Sequence, residues 1–182
     1  RHKTQFAPAI LVAFLPLLAS FNPTQGVGQC VLTSYASTED DFRVWCEIMG
    51  AWAPSLGRQA MNGQPFLYLH GDLWYHPEVI RLALDHPAEI CFLVEKKLCG
   101  EEEMKVRVDC GLVTEADKAI SPDEAFGEWL GITKFEPRGA SVYFDEIEKA
   151  LLQSKMLYDC AIVEDLAKKQ TAIHCLDTGR LP

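Results

Sequence analysis

The sequence predicts an α/β domain in three layers, helices on both faces of a mixed sheet, and three observations carry that expectation. Phe66-Leu67-Tyr68-Leu69 sets four apolar side chains in a row, which suits a strand covered on both faces. Between it and a second apolar run, Ile90 to Val94, the residues Val79, Ile80, Ala83 and Leu84 recur at helical spacing. That strand, helix, strand order predicts a right-handed parallel crossover. Met104, Val106 and Val108 then alternate with Lys105, Arg107 and Asp109 ahead of Cys110-Gly111, the pattern of an antiparallel hairpin continuing into Leu112-Val113-Thr114. With 182 residues, 48% hydrophobic and 24% charged, the chain is long enough to bury one core.

Taken in order, the chain opens with Arg1-His2-Lys3 and an apolar run from Phe6 to Phe21. This outline fits either a secretory targeting segment or a core element, and Pro8 and Pro16 interrupt it. Asn22 to Gly28, with Pro23, Gly26 and Gly28, reads as a loop, and no phosphate-loop motif lies there. Thr38 and Asp41 resemble a capping box, followed by Phe42, Trp45, Cys46, Met49 and Ala53 at helical spacing. The strand Phe66 to Leu69 ends on His70-Gly71-Asp72, where the glycine permits a sharp turn and the carboxylate stands beyond the strand's carboxyl end. His76 to Asp85 is expected as a helix with Pro77 in its first turn. Glu128 to Phe135 is a further strand, Gly139 to Leu152 a helix with Val142, Tyr143, Ile147, Ala150 and Leu151 inward, Tyr158 to Lys169 another helix, and Ala172 to Leu176 a final strand. On the hairpin, Lys105 and Arg107 share a face that is expected to be exposed.

Composition narrows the function classes. A net charge of −9 argues against a broad nucleic-acid-binding surface, although a local site for one nucleotide and its cation is compatible with it. The seven cysteines are odd in number, scattered and never paired as Cys-x-x-Cys. That usage fits a reducing, cytoplasmic compartment and small buried thiols rather than a disulfide framework or structural zinc. Secretory entry is the alternative if the apolar run is a signal.

From residue 55 onward the sequence resembles the nucleotidyltransferase superfamily, in particular its phosphocholine cytidylyltransferase-like and sugar-phosphate nucleotidyltransferase-like branch. The segments that carry the resemblance are Arg58-Gln59-Ala60-Met61-Asn62-Gly63, Phe66 to Asp72, and His76-Pro77-Glu78-Val79-Ile80. They continue with Glu101-Glu102-Glu103-Met104-Lys105-Val106, Asp117-Lys118-Ala119-Ile120, Gly127-Glu128-Trp129-Leu130-Gly131-Ile132 and Glu164-Asp165-Leu166. The resemblance implies a Rossmann-like fold, incomplete at both ends here, with residues 55–182 as the nucleotidyltransferase-like domain and residues 1–54 as an atypical N-terminal region. It implies transfer of a nucleotidyl group, cytidylyl by preference, from a nucleoside triphosphate such as CTP to a small phosphorylated acceptor, with release of pyrophosphate. Phosphocholine, a phosphonate or a sugar phosphate would be such an acceptor.

By the same resemblance Asp72 binds Mg²⁺, and a divalent ion on oxygen ligands suits charge that builds on an α-phosphate during in-line attack. Asp117 hydrogen-bonds the acceptor and Lys118 meets a phosphate oxygen as a point charge. Glu103, Lys105 and Glu128 match acceptor-side positions, and a carboxylate beside Trp129 suits a cationic head group. Two parts of the family pattern are not matched. Residues 1–54 contain no Gly-rich basic triphosphate loop, Leu17-Leu18-Ala19-Ser20 lacking its glycines and arginine, and no Trp-x-Glu-Ile-Asp segment with the second metal aspartate follows Leu176-Asp177-Thr178-Gly179 before Pro182. Two other readings stay open: a non-catalytic fragment that keeps the fold as a binding module, and a metal-dependent phosphoesterase built on His70, Asp72 and His76.

Overall fold

The computed structural model of the protein describes residues 12–16, 30–32, 58, 63–70, 75–154 and 157–179, the first two groups by their backbone. The loop expected at Asn22 to Gly28, the helix expected after Thr38, and Gly71-Asp72 lie outside the described residues. The strands are β1 (Val12–Pro16), β2 (Cys30–Leu32), β3 (Phe66–Leu69), β4 (Ile90–Glu95), β5 (Lys105–Asp109), β6 (Leu112–Asp117), β7 (Gly127–Phe135) and β8 (His174–Asp177). The α-helices are α1 (Pro77–Asp85), α2 (Pro137–Gln153) and α3 (Val163–Lys168).

The strands hydrogen-bond in the order β2-β1-β3-β7-β4-β8-β6-β5, and β5 pairs back onto β7. Strands β7, β4, β8, β6 and β5 therefore close a five-stranded ring. It is mixed: β4 and β8 run parallel, and the other pairs in the ring run antiparallel. This corrects the expected three-layer Rossmann-like sandwich, because an open sheet has two free edges and this ring has joined them.

The cause lies in β7. Its Ile132–Phe135 half bonds β3, its Gly127 and Glu128 bond β5, and β4 runs along its other edge from Ile90↔Phe135 to Glu95↔Glu128. Where the two halves meet, Gly131 has φ +68° and the register with β4 shifts between Phe92 and Val94. Such a bulge bends a strand and increases its twist, so one half of β7 can serve the β3 side while the other turns into the ring. The indole Nε1 of Trp129 donates to the Ile132 carbonyl at 3.1 Å across the bulge. Strands β3 and β4, both antiparallel to β7, run in the same direction with β7 between them, so the predicted crossover joins strands that are not neighbours.

Alternation along the strands sorts the core. Phe66, Tyr68, Ile90, Phe92, Val94, Trp129 and Phe135 pack with Tyr143, Phe144, Ile147 and Leu151 of α2, and this cluster continues into the ring through Val106, Val113, Ala116 and Ile173. Leu67, Leu69, Cys91, Leu93 and Ile132 pack instead with Val79 and Ala83 of α1. All four residues of β3 are buried, as their unbroken apolar run requires, and each such side chain contributes roughly 1.5–3 kcal/mol. Part of the apolar N-terminal run belongs to the same sheet, since β1 pairs with β3 from Ala13↔Leu69 to Pro16↔Phe66.

Helix α1 begins at Pro77 with His76 as its cap, Nδ1 accepting from the Glu78 amide at 3.2 Å. Three local expectations are corrected. Val142 faces solvent, and Phe144 joins Tyr143, Ile147 and Leu151 on the buried side of α2. The segment expected as a helix from Tyr158 is turns up to Ile162 and helical only over Val163–Lys168. Lys105 is not on an exposed face: it is 1% exposed, whereas the Arg107 side chain is 41% exposed. Of the described cysteines none is bonded to another; Cys91, Cys99 and Cys160 are buried and Cys110 is exposed at the hairpin turn.

Candidate functional site

The register brings residues from distant parts of the sequence into one row. Glu95 of β4 lies opposite Glu128 of β7, Glu128 opposite Lys105 of β5, and Lys105 opposite Asp117 of β6. Lys105, Asp117 and Glu128 are thus neighbours across three strands. The Lys105 ammonium points under the loop that precedes β5 and donates to the carbonyls of Glu101 (3.0 Å), Gly100 (3.1 Å) and Glu103 (3.3 Å). A buried ammonium requires such partners, and here they are all main-chain oxygens, so Lys105 fixes the shape of the loop.

Lys97 ties the row to that loop. Its ammonium lies 2.5 Å from Glu128 Oε2, 3.6 Å from Glu95 Oε2 and 3.9 Å from Glu103 Oε1. The hydrogen bond to Glu128 holds the Lys97 pKa above its ordinary value against the opposing effect of burial. Glu103 Oε2 accepts from the Gly100 amide at 2.9 Å, and backbone hydrogen bonding lowers the Glu103 pKa. Asp117 Oδ1 accepts from the Ala119 amide at 2.7 Å, shaping the turn that carries Lys118, whose ammonium is 3.6 Å from a Glu102 carboxylate oxygen. The set is acidic overall and, apart from the buried Lys105, at least part-exposed, and it holds three cations, Lys97, Lys105 and Lys118.

Asp72, the residue expected to hold Mg²⁺, lies outside the described residues. Among the described residues no group of three or more His, Cys, Asp and Glu side chains could hold a metal ion. The carboxylates around Lys97 do not fit a divalent cation because an ammonium already occupies the space they share. In the phosphoesterase reading, Asp72 lies outside the described residues, His76 uses Nδ1 to cap α1, and His70 uses Nε2 on Asp159.

That engagement is the feature sequence reasoning missed. At the exit of β3, His70 Nε2 lies 2.7 Å from Asp159 Oδ2, and Asp159 is 3% exposed. The Tyr68 hydroxyl donates to the same oxygen, and the Tyr143 hydroxyl donates to the Asp159 carbonyl at 2.6 Å. Burial, followed by the charge of Asp159, raises both tyrosine pKa values well above the ordinary range. Trp129, next to Glu128 in the chain, meets His70 in a T-shaped contact with ring centroids 5.0 Å apart, so the β3 exit and the acidic row share β7. His70 carried a signal, standing beside Gly71-Asp72; Asp159, 89 residues away, carried none.

No protein-family model matches the chain, and no curated protein matches its sequence. The chain is similar to the inositol-1-phosphate CTP transferase from T. maritima, with a TM-score of 0.61 and 16% identity, covering 74% of this chain and 54% of that one. The likeness shows the fold, and the chain spans about half the length of that protein.

Proposed function

We propose that the protein acts in nucleotidyl transfer, moving a cytidylyl group from CTP to a small phosphorylated acceptor with release of pyrophosphate. The fold shared with a CTP transferase supports the class of reaction. The observation that carries the reading is the row Glu128, Lys105 and Asp117, contributed by three strands and joined to Glu103 through Lys97. In the reaction an acceptor phosphate oxygen forms a bond to the α-phosphorus as the bond from that phosphorus to the bridging oxygen breaks, and the electron pair leaves with pyrophosphate.

Within this proposal Lys118, on an exposed turn, meets a phosphate oxygen, and Asp117 orients the acceptor. Glu128 and Glu103 face the acceptor's polar or cationic end, with Lys97 balancing them when the site is empty. Lys105 holds the loop that carries Glu103. Mg²⁺ at Asp72 belongs to the proposal and would supply charge neutralisation at the phosphates.

A second reading, a binding module without turnover, draws on one observation: the cations Lys97 and Lys105 already have protein partners. Calorimetric titration with CTP, with and without Mg²⁺ and with Asp72→Asn, separates the two from no site at all. Saturable, Mg²⁺-dependent binding lost in the variant supports the nucleotide site. Pyrophosphate release on adding phosphocholine or a sugar phosphate then distinguishes transfer from binding. A folded sample that binds no CTP sinks nucleotidyl transfer and leaves a binding module whose role lies with other partners.

A further inference from the structure

We infer that His86 and His174 form an acid-sensitive latch on the seam where the five-stranded ring closes, so that protonating the pair frays the start of β8 and opens it from β6. The latch is a property of the ring and is independent of the proposed nucleotidyl transfer.

The seam is thin. Strand β6 meets β8 at the single register pair Leu112↔His174, whereas β8 runs beside β4 from Cys91↔His174 to Val94↔Asp177. Two main-chain hydrogen bonds close it: the Val113 amide donates to the Ile173 carbonyl at 2.7 Å, and the Cys175 amide to the Gly111 carbonyl at 2.9 Å. His174 stands between Ile173 and Cys175, and its ring centroid lies 5.7 Å from that of His86 at the end of α1. Both histidines are part-exposed. A joint with so few hydrogen bonds, reached by solvent, is where a fold opens locally before it unfolds as a whole.

The surroundings of His86 hold it neutral. Its Nδ1 accepts from the Ala88 amide at 3.3 Å, so the ring's proton sits on Nε2. A second proton has to enter at Nδ1, where it faces the Ala88 N–H and ends that hydrogen bond. It also sets a cation beside another, because the buried Lys134 ammonium donates to the His86 carbonyl at 2.7 Å. The carboxylates nearby offer little relief: Glu136 is bound to Lys134 at 2.7 Å, Glu89 accepts from the Gly139 amide at 3.2 Å, and Asp85 is exposed to solvent, which screens it. Cys91, opposite His174 on β4, is a neutral thiol, its pKa pushed up to about 12 by burial. Burial, then His174 and Lys134, accordingly lowers the His86 pKa. Two charged imidazoles repel, and the strain is relieved by fraying β8 where its bonds to β6 are fewest. The seam is therefore closed above about pH 6.5, the ordinary histidine value, and loosens as pH falls from there toward the closed-state value.

Amide hydrogen exchange followed by NMR tests the latch in the wild-type chain, His86→Gln and His174→Gln. The seam reporters are the Val113 and Cys175 amides. The references are the Phe126 and Trp129 amides, which donate to the Val106 and Met104 carbonyls where β7 meets β5. Between about pH 7.5 and about pH 5.5, with intrinsic rates divided out, seam protection should fall roughly tenfold, since one group titrating differently in two states changes their ratio by at most about tenfold per pH unit. Seam exchange at the lower pH should not respond to low urea, the mark of a local opening that exposes little surface. Each variant should remove most of the fall, because the remaining imidazole has lost the partner that repels it. Seam amides that are unprotected at the higher pH, or whose protection does not fall with acid, overturn the inference. So does a fall shared with the references and steepened by urea, or one that persists in either folded variant. If one variant does not fold the other decides, and if neither folds the pH and urea response of the wild type decides.

Discussion

Replacing Lys105 with methionine keeps the length of the side chain and removes the ammonium from beneath the loop before β5. Three carbonyls lose their donor: those of Gly100, Glu101 and Glu103. Hydrogen bonds to a charged group contribute about 1.5 kcal/mol each at the lower end of their range, which gives about 4–5 kcal/mol for the set before any compensation. Gly100 and Glu101 are exposed, so water recovers part of that, and methionine escapes the cost of burying a charge. A loss of roughly 2–3 kcal/mol remains, which for a chain of this size lowers Tm by about 4–12 °C. Thermal unfolding followed by circular dichroism reads the shift, with Lys168→Met as the reference. Lys168 pairs with Glu164 on an exposed helix face, and such pairs contribute at most about 1 kcal/mol. If Lys105→Met melts within experimental error of Lys168→Met, the buried ammonium does not organise the loop, and its place in the row carries no structural weight.

Other consequences follow from single residues. Gly131→Ala forces a side chain onto a backbone at φ +68° and against His70, so it should lose roughly 1–3 kcal/mol in urea unfolding and shift the His70 imidazole signals. Burial pushes the Cys91 thiol up to about 12 and the Cys160 thiol well above its usual value. Mass mapping of alkylation at pH 8 should therefore find Cys110 labelled in the folded protein, and Cys91 and Cys160 labelled only after unfolding. Burial, then His174 and Lys134, lowers the His86 pKa, so the unfolded chain takes up a proton there before the folded one does. The stability linked to this group is complete above about pH 6.5 and declines as pH falls from there toward the folded-state value, and His86→Gln should flatten that part of the stability profile.

Local patterns made much of the chain legible. The apolar run at Phe66 to Leu69, the alternation before Cys110-Gly111 and the proline at the start of α1 each fixed an element to within a residue or two, because each reflects interactions over a few residues. The ring was not legible. Its closure depends on β5 reaching Glu128 across a bulge at Gly131, and Gly-Ile after Trp129-Leu130 reads equally well as an ordinary strand interior. The same limit applies to the site. Asp117, Lys105 and Glu128 stand out through resemblance, but Glu95 and Lys97 join them only through pairings between β4, β7 and β5. The exposed hairpin lysine expected from alternation is buried because the preceding loop folds over it, a tertiary event that period-two reasoning cannot register.

Backbone amide chemical-shift mapping during sequential addition of Mg²⁺-CTP and phosphocholine tests the central claim most directly. The account predicts that CTP moves the signals of His70 and its neighbours at the end of β3, and that the acceptor then moves Glu103, Asp117, Lys118 and Glu128 as one group. Saturating nucleotide and acceptor that leave both groups unmoved, or that shift residues elsewhere on the fold, would contradict it.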